Sequence, residues 1–222
     1  MIGKSIPFRS APRIVSGLAW LVLLLAALPF AASGQEEEGR LRALQSGSVA
    51  ERRNALSWLA RNGRQDGAAA IVDSLKDEDG QVRALAEDAL WAIWSRSGNK
   101  RVDELLRMGG TLMASGQLWQ AVGFFDEIIS EMPAFAEGYN KRATAWYLMG
   151  AYHRSLADIE LTLKRNPYHF GALSGAGYCL IRLKRYGEAV AYLRRALKIN
   201  PNLEGVRVLS SELEKTLRRN SI

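Results

Sequence analysis

The chain is poor in the residues that carry chemistry. Its one cysteine, Cys179, excludes an intrachain disulfide. Its two histidines, His153 and His169, have no carboxylate beside them at a metal-ligand spacing, which leaves little scope for a metal site. Residues 1–33 hold Lys4, Arg9 and Arg13 and no acid, and the run from Ile14 to Phe30 holds no charge at all. That run, followed by Ala31-Ala32-Ser33, has the layout of a secretory signal peptide, with cleavage near Ser33–Gly34. It is also about as long as the shortest membrane spans, roughly 17 residues, so an uncleaved anchor over residues 14–32 is the second reading. Both readings make the chain exported, either periplasmic or secreted, or held at the membrane by its N-terminus. The net charge of +7 falls to a surplus of four once residues 1–33 are set aside, too mild to imply nucleic acid by itself.

What is there is a repeat. Met132-Pro133, Asn166-Pro167 and Asn200-Pro201 recur every 34 residues, and the side chains between them recur in register. Small residues return at Gly109, Ala143 and Gly177, and again at Ala121, Ser155 and Ala189; large ones return at Leu112, Trp146 and Leu180, and at Phe125, Ile159 and Leu193. A fixed period of this length is the mark of a stacked array. Apolar stripes at helical spacing predict helices over 102–115 and 118–131, joined by a tight turn at Ser115-Gly116-Gln117. Each unit is then a helical hairpin, and the proline just past its end re-aims the chain into the next one. One hairpin cannot bury both faces, so neighbours stack.

The period, the small residues, the turn glycines Gly116 and Gly150 and the terminal prolines resemble the tetratricopeptide repeat (TPR) family. Three units are implied, 101–134, 135–168 and 169–201. Arg142 and Lys184 depart from the pattern, standing where the family usually has an aliphatic residue and a glycine. After Pro201, residues 202–222 place Val206, Leu209, Leu213 and Leu217 on one helix face and charge on the other, as a helix capping the array should.

Residues 34–98 have a different rhythm. Ser48-Val49-Ala50-Glu51 is a capping box. A short helix from Ala68 to Lys76, the acidic turn Asp77-Glu78-Asp79-Gly80, and a helix opening Val82-Arg83 resemble the short bacterial form of the HEAT repeat, in which Asp77 and Arg83 would be ladder residues. Trp91 and Trp94 are expected at the seam between this part and the first TPR unit, because a helix apolar on most sides is buried on most sides. The fold class expected is therefore all-α: a right-handed solenoid of three helical hairpins and a capping helix, preceded by HEAT-like helices.

No catalytic or cofactor constellation emerges. Cys179, between Tyr178 and Leu180, reads as a buried structural thiol. The acidic turn lacks the alternating ligands and twelfth-place glutamate of a calcium loop. Gly109-Gly110 and Gly175-x-Gly177 follow no strand and read as helix contacts, not phosphate loops. The TPR resemblance implies one working surface, a concave groove lined by the first helix of each hairpin. It would present Leu106, Gly110 and Met113, then Asn140, Thr144 and Tyr147, then Ser174, Tyr178 and Ile181, with Lys141 and Arg182 on its edge. An apolar, aromatic trough with a few amides suits an extended peptide or a helix, and Asn140 could pair with a peptide backbone. The lysine and asparagine set by which chaperone-binding relatives grip a terminal carboxylate is absent. The function expected is a non-catalytic interaction module of the bacterial cell envelope with a protein or peptide partner, no small-molecule substrate and no cofactor. The alternative is polyanion or nucleic-acid binding, since residues 101–222 carry 17 basic against 12 acidic residues.

Overall fold

The computed structural model describes residues 34–219; the signal-like segment lies outside them. Residues 34–38 are helical and end a first unit, and the described residues from Gly39 to Arg219 belong to a second unit. Its described part is helical throughout: α1 (residues 39–46), α2 (Val49–Asn62), a broken stretch around α3 (Ala68–Ile71), α4 (Gly80–Trp94), then α5 (Lys100–Ala114), α6 (Leu118–Glu131), α7 (Ala136–Leu148), α8 (Tyr152–Arg165), α9 (Phe170–Arg182), α10 (Tyr186–Ile199) and α11 (Glu204–Arg219). No helix among the described residues is long and apolar enough to cross a membrane.

The repeat becomes three hairpins, α5–α6, α7–α8 and α9–α10. The small residues are where paired helices touch: a Cβ added at Gly109 would lie 2.5 Å from the Phe125 ring, and one at Gly177 would lie 2.4 Å from Leu193. Ala143, at the same register, is buried, and its carbonyl accepts from the Ser155 hydroxyl at 2.8 Å. Ser155 in turn takes the Cys179 thiol at 3.2 Å, which fixes the cysteine as a buried residue whose thiol burial pushes up. The tight turns need left-handed backbone, and Gly116 and Gly150 supply it at φ +78° and +76°. In the third hairpin Lys184 holds the same conformation at φ +60°, a strained place for a side chain. Lys184→Gly is accordingly expected to raise stability by up to about 1 kcal/mol in urea unfolding.

The other departure from the repeat pattern, Arg142, is a junction. Its guanidinium bonds both oxygens of the buried Asp158 carboxylate at 2.6 and 2.8 Å and Asp126 at 2.6 Å, tying α7 to α8 and α6. The Asp158 bond, against the burial, holds the arginine firmly charged. At the far end α11 lays Val206, Leu209 and Leu213 on the third hairpin and turns Glu212, Lys215 and Arg218 outward.

The N-terminal block carries its own core of Leu56, Leu59, Ile71, Leu75, Leu90 and Ile93. The capping box forms as expected, Ser48 N–H donating to Glu51 at 2.7 Å. Asp79 caps α4 and also bonds Arg53, while Asp77 is gripped by Arg52 at 2.8 Å. Burial pushes Asp77 up, but Arg52 and the Asp79 amide outweigh it and leave the carboxyl below its ordinary value. The acidic turn is thus a structural joint, and no group of three or more potential metal ligands exists among the described residues. The expected helix over Ala68–Lys76 is instead a short α-helix flanked by 3-10 turns, Gln65–Gly67 and Val72–Lys76.

The placement of this block corrects the sequence reading of Trp91 and Trp94. They do not seal against the first hairpin. The turn after α4 is stapled backward: Gln65 Nε2 donates to the carbonyls of Ile93, Trp94 and Arg96, and Arg96 donates to those of Gly63 and Ala60. The block therefore folds back along the edge where the Pro corners lie and docks on the third unit. Trp94 stacks on His169 at 4.6 Å, and both tryptophans contact Phe170 at 5.1–5.2 Å. Glu87 accepts from Asn200, Leu75 O accepts from Asn202, and Arg83 donates to Asn202 at 3.0 Å. Arg83 also donates to the carbonyls of Asp77 and Glu78, so it joins the acidic turn to the last Pro corner.

Candidate functional site

The first helices of the second and third hairpins, α7 and α9, run side by side and leave a recess of about 200 Å³ between them. Its walls are Asn140, Thr144 and Tyr147 from α7 and Gly171, Ala172, Gly175 and Tyr178 from α9; Ser155 and Ile159 of α8 form the floor. The recess exists because α9 presents no bulk there: glycine, alanine and glycine replace side chains over one and a half turns. Tyr178 is 36% exposed at its mouth. Burial, and then the neighbouring Tyr147, push its phenol up, so it stays a neutral donor. Tyr147 leans on Tyr152 at 5.6 Å, and the Tyr152 hydroxyl accepts from Arg182 Nε at 2.8 Å, which places Arg182 on the rim.

Of the eleven groove residues read from the sequence, the structure thus gathers Asn140, Thr144, Tyr147 and Tyr178 around one recess. The others have different roles. Leu106 is a correction: it is buried in the core of the first hairpin, because its side chain turns toward Val102, Phe125 and Phe135 and offers a partner nothing. Met113 packs on the rim of that core. Ile181 packs on the core that the third hairpin shares with α11. The Ser174 hydroxyl is taken by Phe170 O at 2.9 Å, and Thr144's by Asn140 O at 2.9 Å, the usual fate of hydroxyls on a helix. Lys141 is bound to Glu137 at 3.2 Å.

Glu137 is the residue that sequence reasoning missed. It is 1% exposed, yet charged. One oxygen accepts from Asn140 Nδ2 at 3.1 Å and His169 Nε2 at 3.0 Å; the other faces the Lys141 ammonium. His169 caps α9 by accepting the Ala172 N–H on Nδ1 at 3.1 Å, which leaves the proton on Nε2 for Glu137. Burial pushes Glu137 up, and the bonds from His169 and Lys141 outweigh it, so the carboxyl sits below its ordinary range. This network orients Asn140 at the recess and stands under Trp94 at the seam. Gly171 closes the link, since it lines the recess while a Cβ on it would lie 2.4 Å from Trp91. The His169 ring is fully buried.

A second cleft of about 470 Å³ lies between the N-terminal block and the Pro corners, bordered by Trp94, Phe135, Arg165 and Tyr168. Its Arg165 is spent on Pro133 O, Leu161 O and the Tyr139 hydroxyl.

Comparison with known proteins agrees with this architecture. Residues 170–203 match the family model of the tetratricopeptide repeat. The chain is 29% identical over 164 residues to a TPR repeat-containing protein of Rhizobium etli, covering 73% of each. It is 27% identical over 123 residues to Hsp70-Hsp90 organizing protein 1 of Glycine max, 54% of this chain but only 22% of that one. Among solved structures, the first TPR of Spaghetti (RPAP3), bound to an HSP90 peptide, superposes with TM-score 0.51 at 19% identity over 53% of this chain and 93% of that one. The Sgt2 TPR domain from Aspergillus fumigatus gives 0.53 at 18% over 55% and 83%. These likenesses establish the fold. The array is an all-α solenoid of helical hairpins similar to those of tetratricopeptide-repeat proteins, and its third unit matches that repeat's family model.

Proposed function

We propose that the chain is a non-catalytic interaction module that holds an extended peptide or helix of a protein partner against the α7–α9 recess. The observation that carries the reading is the recess itself: an apolar pocket with a neutral phenol at its mouth and an asparagine whose orientation is set by a buried carboxylate. Such a pocket takes one aliphatic or aromatic anchor while the polar groups bond the backbone beside it. A neighbour of the same fold, solved with a peptide bound, supports a peptide as the kind of partner. The match in the organizing protein spans a small part of its length, so its partners do not transfer.

The place of action, in the same reading, is the bacterial cell envelope, periplasmic or tethered by residues 14–32; mass spectrometry of the native N-terminus in soluble and membrane fractions tests it. The site is tested by panning a displayed peptide library on the purified chain. Tyr147→Ala and Tyr178→Ala are each expected to weaken a selected peptide by about 30-fold, the scale of a buried aromatic hot spot at roughly 2 kcal/mol. Unchanged affinity in both variants would refute the assignment. The polyanion alternative is favoured by charge alone and would show as an affinity falling steeply with salt.

A further inference from the structure

The edge of the array opposite the Pro corners is made of the three tight hairpin turns, and its composition is one-sided. Residues 115–120, 148–154 and 182–187 contain no aspartate or glutamate, while they contain Arg154, Arg182, Lys184 and Arg185. Arg185 is neutralised by Glu188 at 2.7 Å. Arg154 instead lies over the Trp146 ring at 4.9 Å, and Arg182 bonds a phenol, so neither charge is cancelled by an acid there. Large apolar groups stand exposed on the same edge. Trp119 is 65% exposed and is held edge-on to Trp146 at 5.5 Å; Leu148 is 55% and Tyr186 39% exposed. Packing within the chain does not explain a tryptophan that shows two-thirds of its surface.

We propose that this turn edge rests on an anionic lipid surface. Two kinds of group coincide there, and each fits the same occupant. Tryptophan, tyrosine and leucine at the tips of rigid turns enter the headgroup layer, where one end of an aromatic ring is dry and the other wet. Cations without acid neighbours are drawn to negatively charged headgroups. A soluble polyanion would use the cations and leave Trp119 and Leu148 without purpose. The concave recess, formed by the first helices and not by their turns, stays open to a partner while the edge is seated. The inference is independent of what the recess binds and of whether the N-terminal segment is cleaved.

Hydrogen exchange on the full chain tests it, with vesicles of phosphatidylcholine alone compared with vesicles containing phosphatidylglycerol. If residues 14–32 anchor the chain, they do so in both, so the comparison isolates the edge. The expected result is slowed exchange of the three turns on phosphatidylglycerol only. Arg154→Gln with Lys184→Gln should lower the ratio of seated to unseated chain about 25-fold, at about fivefold per cation near such a surface. Trp119→Ser, at an exposed site that does not endanger folding, should weaken seating as well. Equal exchange of the turns on both vesicles would overturn the proposal. So would equal protection by heparin in place of vesicles, or protection on phosphatidylglycerol undiminished in both variants.

Discussion

Trp94→Ala is expected to cost about 3–5 kcal/mol, the range for removing a buried tryptophan. The side chain is 2% exposed and is shared between the N-terminal core and the seam, where it stacks on His169 and touches Phe170. The loss should therefore be uneven. The N-terminal block keeps the rest of its core and its staples to the Pro corner, but one of the two tryptophans that join it to the array is gone. Amides of α2 and α4 should lose exchange protection first, with those of α7 to α10 less affected, because regions open in proportion to the contacts that hold them. Trp119→Ala is the internal comparison: as an exposed site it should stay within about 0.5 kcal/mol. A Trp94→Ala variant with uniform loss across both parts would mean that the block and the array are one inseparable core.

Glu137→Ala should be as damaging, again about 3–5 kcal/mol, because it breaks a buried ion-pair network from one side. Asn140 Nδ2 and His169 Nε2 lose their common acceptor, and Lys141 loses its counter-charge. Glu137→Gln retains an acceptor and should cost less. Peptide affinity should fall in both variants, since Asn140 is no longer held at the recess. The network also has a pH signature. Glu137 is held below its ordinary value in the folded chain, so its contribution is complete above the unfolded carboxylate's titration and is lost as pH falls through the folded value. Urea midpoints measured from neutral to acid pH should drop in the wild type, and the drop should be smaller in Glu137→Gln. Parallel pH profiles would remove Glu137 as the origin.

The hairpins were legible because one period fixes many positions at once. Gly109 and Gly177 announce close helix contacts, the prolines announce corners, and Gly116 and Gly150 announce left-handed turns; each proved to sit where its chemistry requires. The seam was not legible. Trp91 and Trp94 declare burial, but nothing local in the chain says that Gln65 and Arg96 will staple the following turn backward and bring them onto His169. Leu106 failed as a groove residue for a related reason: a repeat position says which way a helix face points in a regular array, not how deep neighbouring side chains bury it. Glu137 carried a faint signal, an acid one turn before Lys141 on a helix following a Pro corner. Its partner His169 belongs to the next corner, and their contact follows only from stacking.

The most direct test of the account is to titrate the isotopically labelled chain with a library-selected peptide and map the perturbed resonances. Shifts are expected to concentrate at Asn140, Thr144, Tyr147 and Tyr178, with Glu137 following through its bond to Asn140 and His169 through its bond to Glu137. Shifts confined to the open face of the first hairpin, around Met108 and Phe124, with the α7–α9 recess silent, would contradict it.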